Sequence, residues 1–198
     1  MPTPLRRSFI AVTITALLAI LPATSAHAAT PIFGHRYQNG VGNISAWLNY
    51  GSGVGNWEWA ISSATNNWMY PGWSNPVYIH FVTSNLGSTL DFHQNNDAYF
   101  GGGMITLART SFFSSTGGTV NPSSSNWTYA EVHINNDVYA SSSTSNEAAI
   151  GTTVHEIGHA FGLAHNNGNP FSIMCQTAYG RVVQRVAAID NDAVNSLY

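Results

Sequence analysis

Residues 155–165 read HEIGHAFGLAH, which places three histidines, one glutamate and two glycines within eleven positions. His155 and His159 are four apart, so on an α-helix they stand one turn apart on the same face and can meet one cation. Glu156 is rotated about 100° around that helix, which sets its carboxylate beside such a cation rather than on it. Gly162 can leave the helix through a left-handed conformation that would strain a residue with a β-carbon. Three residues later, His165 can swing back as a third imidazole. Three neutral nitrogens around Zn²⁺ leave a fourth position for water, the open arrangement of a catalytic site. A capped amphipathic helix with histidines on its polar face is the plain alternative. With eight histidines and 18 glycines in the chain, this spacing arises by chance on the order of 10⁻⁵ times per chain.

The elements that must position these residues are partly readable. A capping pair of Thr144 and Glu147 is expected to open the helix, which then runs to about Phe161 and ends at Gly162. Upstream, Trp57, Ile61, Ala64 and Trp68 recur at spacings of 4, 3 and 4, a helical apolar face ending near Pro71 and Gly72. Residues 76–84, 88–94, 102–109 and 127–135 read as strands, with a bend at Gly101 to Gly103. Residues 111–126 read as a Ser/Gly/Pro loop, Asn136 and Asp137 as a turn, and 31–55 as strand pieces joined by turns. A last helix covers 188–198, with Asp190 and Asp192 at its positive end. Strands early and helices late, without alternation, indicate an α+β fold.

Composition narrows the function. The 198-residue chain begins with Arg6 and Arg7, a 13-residue apolar run and Ala26 and Ala28 at A-x-A spacing. That is the form of a secretory signal over 1–28, too short to span a bilayer comfortably. The arginine pair also resembles a twin-arginine export signal, with ordinary n-region arginines the favoured reading. Residues 29–198 then hold four arginines against nine acids and no lysine. Only 8% of residues are charged, so a charge-driven grip on nucleic acid or on an anionic membrane is not expected. The single cysteine, Cys175, rules out an internal disulfide.

The motif H-E-x-x-H-x-x-G-x-x-H followed by a methionine resembles that of the metzincins, zinc endopeptidases with a methionine turn. Met174 follows His165 by nine residues in an S-I-M context. The short His-to-Met spacing and the closing DNDAVNSLY are most similar to matrixins, the catalytic domain of matrix-metalloprotease type. The resemblance is strong from about Asn146 to Tyr198 and loose from Asn56 to Asn135. It implies an α+β, zincin-like domain over 29–198: a twisted, mostly parallel five-stranded sheet with three helices as an upper part to about 162, and a small lower part over about 163–198. It also implies that His155, His159 and His165 bind the metal, that Met174 forms an apolar floor beneath them, and that Gly162 supports the turn.

This sequence departs from related patterns at several positions. Astacins and serralysins carry a tyrosine two residues after the methionine, where this chain has Gln176. Snapalysin-type proteases have aspartate where His165 stands. Animal matrixins hold structural zinc and calcium; Asp91, His93 and His133 are candidate ligands for a second zinc, with Asp97 or Asp137 for calcium. Arg109 replaces one family ligand, and a guanidinium cannot bind zinc. Matrixin zymogens cap the zinc with a propeptide cysteine, for which no room is expected between signal and domain; Cys175 reads as a buried thiol, with a redox role as the lesser alternative.

The sequence therefore predicts a secreted, monomeric zinc endopeptidase that hydrolyses protein or peptide substrates with zinc-activated water, using Glu156 as general base and then general acid. Two other readings stand beside it: a zinc-binding adhesin or lectin-like module without protease activity, and a non-peptidase zinc hydrolase. The intact glutamate beside the metal ligands speaks against the binding module.

Overall fold

The computed structural model describes residues 29–198. The signal expected over 1–28 lies outside the described residues. Five strands form one sheet: β1 (Ile44–Leu48), β2 (Ile79–Val82), β3 (Leu90–Asn95), β4 (Ala108–Phe113) and β5 (Tyr129–Asn135). Their order is β2-β1-β3-β5-β4. All pairings are parallel except β4 against β5, which is antiparallel. The strand beside the His-rich helix, β4, is thus an edge strand.

Two long helices pack against each other, α1 (Glu58–Met69) and α3 (Asn146–Ala160), and α3 also lies on β4 and β5. The anticipated face of α1 is buried at Ile61, Ala64 and Trp68, while Trp57 caps the helix and is partly buried. The Trp68 indole donates to the Val154 carbonyl at 2.9 Å, and that of Trp127 to the Ala160 carbonyl at 2.9 Å. Both large rings can be buried because their one polar atom is satisfied on the backbone of α3. Alternation along β5 sends Ala130, Val132 and Ile134 into this core and leaves Tyr129, Glu131 and His133 on the other face.

The architecture is the α+β arrangement expected, with local corrections. β4 starts six residues later than residues 102–109 suggested and takes Ser111 to Phe113 from the expected loop. Gly101, Gly102, Gly103 and Met104 all have positive φ, Met104 at 55°, a backbone that cannot join an extended ladder. Asn136 and Asp137 open a one-turn helix, α2 (Asn136–Tyr139), capped by the Asn135 side chain. That makes four α-helices among the described residues, the last being α4 (Ala188–Leu197). None of these helices is long and apolar enough to cross a membrane.

Candidate metal centre

The helix carrying the motif begins one residue later than its expected cap. Ser145, extended at φ −74° and ψ 161°, accepts the Ala148 amide at 3.2 Å. The Thr144 hydroxyl is committed to the Val138 carbonyl at 2.7 Å, so the reciprocal pair of Thr144 with Glu147 does not form. At the other end, Gly162 has φ +104°. The Gly162 amide reaches the His159 carbonyl at 2.8 Å, and the Leu163 amide reaches the Gly158 carbonyl at 3.0 Å. These paired bonds form a Schellman stop. The returning chain is then held by the N-terminal segment, with Phe33 bonded to Gly162 and Ala164 to Pro31.

This turn brings the three histidines together. Their potential ligand atoms all lie within 4.8 Å of one another, and His159 Nε2 is 3.1 Å from His165 Nε2. His155 Nδ1 faces the Ile173 carbonyl at 2.8 Å, and His159 Nδ1 faces the Leu163 carbonyl at 2.8 Å. A carbonyl only accepts, so each Nδ1 carries the proton and each Nε2 keeps a lone pair. Burial holds His155 well below its ordinary pKa and brings His159 down to about 4; His165, more open, is lowered by the same cause. Three neutral imidazoles are the donor set that zinc takes, with the outer nitrogens oriented by backbone as such sites require. The residues present fit the metal.

Glu156 is 7% exposed, and its carboxylate accepts from the Thr110 hydroxyl at 2.7 Å. The same hydroxyl lies 2.9 Å from the Glu156 carbonyl, tying β4 to α3. Burial raises the Glu156 pKa, opposed by the Thr110 bond and by His165, Arg181 and Arg109. Glu156 and the three histidines line one cleft of about 380 Å³, with Phe33, Arg109 and Thr110 on its walls. Beneath it, Met174 is fully buried, and its sulfur packs on Gly158. Gln176, where related proteases carry tyrosine, is braced by Asn167: its amide donates to Asn167 at 2.9 Å and its side-chain oxygen accepts at 2.8 Å. Cys175 is buried, and burial pushes its thiol pKa up.

The candidate second-metal residues stand in register on the sheet's other face, Asp91 beside Glu131 and His93 beside His133. Their polar atoms go mostly to other neighbours: His93 Nδ1 lies 3.0 Å from the Asn49 side chain while its ring stacks on His133. Both His133 nitrogens are taken, by Asn95 at 2.9 Å and Glu131 at 3.0 Å. Asp91 accepts from Ser88 and Tyr129. Arg109 of β4 stands in register with His133 of β5 and lays its guanidinium over the rings of Tyr99 and Phe100. Asp97 accepts from Asn135 and the Met104 amide, and Asp137 from the Asp97 amide, so both close turns.

Thr110 and Arg181 are two residues at this site that sequence reading did not single out. Thr110 depends on the register of β4 against α3, for which no local pattern exists. Arg181 lies seven residues beyond Met174, outside the motif, and its burial depends on long-range packing.

Comparison with curated proteins gives no match. Comparison with family models gives one, the matrixin peptidase family, over residues 62–198, which includes α3, the Gly162 turn, Met174 and α4. The chain belongs to the matrixins, which are zinc metallopeptidases acting on protein or peptide substrates.

Proposed function

We propose that the protein is a secreted, monomeric endopeptidase in which His155, His159 and His165 hold the catalytic zinc and Glu156 moves the proton. The observation that carries this reading is the locking of two imidazoles by the Ile173 and Leu163 carbonyls, which turns both lone pairs toward His165 beside a buried carboxyl. When bound, zinc supplies Lewis acidity at the scissile carbonyl and lowers the pKa of a bound water to about 7.

The chain's own residues do the rest. Glu156 takes the proton of the attacking water and delivers it to the leaving amine nitrogen. A carboxyl whose pKa burial raises holds a proton more readily than an ordinary carboxylate and can then deliver it. The Thr110 hydroxyl holds the carboxylate toward the cleft, and the outer edge of β4 is open to an extended peptide over residues 108–110, before Phe112, whose carbonyl already accepts the Val120 amide. Antiparallel addition there lays the substrate across the cleft. Residues 1–28 serve as the export signal, and 29–198 form the catalytic domain with its upper and lower parts meeting at the Gly162 turn.

The test compares zinc-loaded wild type, Glu156→Ala and chelated protein on a mixed peptide library. Wild type is expected to cut within peptides, and Glu156→Ala to bind zinc stoichiometrically while losing on the order of 10³-fold in kcat. Tight zinc binding without cleavage of any peptide would sink the protease reading. Undiminished cleavage by Glu156→Ala would remove the assigned base.

A further inference from the structure

A second cavity of about 220 Å³ opens off the metal cleft and shares Ala108, His155, Glu156 and Gln176 with it. Its remaining wall includes Ile105, Leu107, Thr152, Ala178 and Arg181. Arg181 is 8% exposed, yet its contacts are neutral and long: Ile173 carbonyl at 3.4 Å, Thr152 hydroxyl at 3.4 Å and Gln184 side-chain oxygen at 3.5 Å. Its Nε has no partner. No carboxylate among the described residues comes within 4.0 Å of the guanidinium; Glu156 acts on it only from beyond that distance. A buried cation is ordinarily paired, because desolvation penalises it otherwise. A planar guanidinium with free donors matches a carboxylate better than any neutral group.

The position of this cavity along a substrate follows from the sheet. Val120 already pairs with Phe112, so a peptide added antiparallel to the open part of β4 runs from Thr110 toward Ala108. The residue just after the scissile bond therefore faces the cavity bounded by Ile105 and Ala108. We propose that Arg181 selects substrates with an acidic side chain, glutamate or aspartate, immediately following the bond to be cut. This rests on the endopeptidase reading of the cleft. The selection is local, because four arginines against nine acids over residues 29–198 give the molecule a negative balance that does not attract acid-rich chains at long range.

The test uses zinc-loaded protein and blocked, internally quenched peptides that differ only at that position: Glu, Asp, Gln, Leu or Lys. Glu and Asp are expected to exceed Gln by on the order of 100-fold in kcat/KM. The preference should survive 0.5 M salt, since a buried pair is weakly screened. Arg181→Met should abolish it and raise the relative rate for Leu, whereas Arg181→Lys should keep part of it. A companion measurement takes zinc-loaded Glu156→Ala and follows fluorescence anisotropy of the same peptides, where the same ranking is expected in Kd. That arm reads the selection even if no peptide is cut, so failure of the protease reading and failure of this proposal are separately visible. Equal binding of the Glu and Gln peptides overturns the proposal, as does an acidic preference undiminished in a folded Arg181→Met. If Arg181→Met does not fold, the wild-type comparison and Arg181→Lys decide. A further pair of peptides ends at that position with a free or an amidated C-terminus. Recognition of the free terminus alone, with no response to the side chain, also overturns it.

Discussion

At the scale of single residues, the histidines and the glutamate of the proposed metal centre titrate in opposite senses. Burial keeps all three imidazoles below their ordinary value, His159 at about 4, whereas an unfolded chain takes up those protons near pH 6.5. Between the two values the unfolded state binds more protons, so the metal-free protein loses stability as the pH falls. Glu156 runs the other way. Its raised carboxyl keeps a proton that the unfolded chain has released, and its contribution fades as the pH rises through the raised value. Three histidines outweigh one glutamate, and below pH 6.5 the melting temperature of chelated protein should drop. His159→Gln removes one of the protons, so its melting curves between pH 7 and 5 should shift less than those of wild type, by up to about 1.4 kcal/mol per pH unit. Circular dichroism melts in chelator check this. An identical pH dependence in the two proteins would mean that His159 already carries its charge in the fold.

At the scale of elements, the site depends on how closely α3 lies over the methionine segment. A Cβ added at Gly158 would sit 2.5 Å from the Met174 sulfur and 3.1 Å from Trp68. The helix gains up to about 1 kcal/mol from alanine over glycine, but overpacking costs about 1–3 kcal/mol. Gly158→Ala is therefore expected to lower the urea midpoint and weaken zinc binding through its neighbour His159. A stabilised variant would show that Met174 is free to move aside. The same elements show what could be read from sequence. The triad, Gly162 and the burial of α1 were legible because helical spacing and left-handed turns are local chemistry. The cap was misplaced by one residue because Thr144 and Ser145 are both eligible, and only the fold shows the Thr144 hydroxyl spent on Val138. The start of β4 was misread because Met104 continues a positive-φ run that composition does not reveal. The placing of Thr110 and Arg181 comes from register and long-range packing, which no periodicity encodes.

At the scale of the whole molecule, Asp190 joins segments that are far apart in the chain. It is fully buried in the first turn of α4. One carboxylate oxygen accepts from Thr30 at 2.7 Å and Ser172 at 2.5 Å, and the other from the Ile173 amide at 2.8 Å and the Ala187 amide at 3.2 Å. Ile173 in turn offers its carbonyl to His155, so the carboxylate lies one residue's backbone away from a proposed metal ligand. Thr30 leads into the segment that pins the chain after Gly162. Removing the acceptor leaves three buried donors and the part-buried Ala187 amide without a partner there, each buried one costing about 1–3 kcal/mol when unsatisfied. Asp190→Ala should then lose at least about 3 kcal/mol in denaturant unfolding and bind zinc more weakly. Thr30→Val removes one donor to Asp190 and the acceptor of the Asn166 side chain at 3.3 Å, but leaves the other three bonds to Asp190 in place, so a loss of about 1–2 kcal/mol with zinc affinity intact is expected. The contrast between the two is the test, read by urea unfolding and zinc titration on both variants. If Asp190→Ala unfolds no more readily than Thr30→Val, the four bonds do not act together, and the site is held by α3 and the Gly162 turn alone.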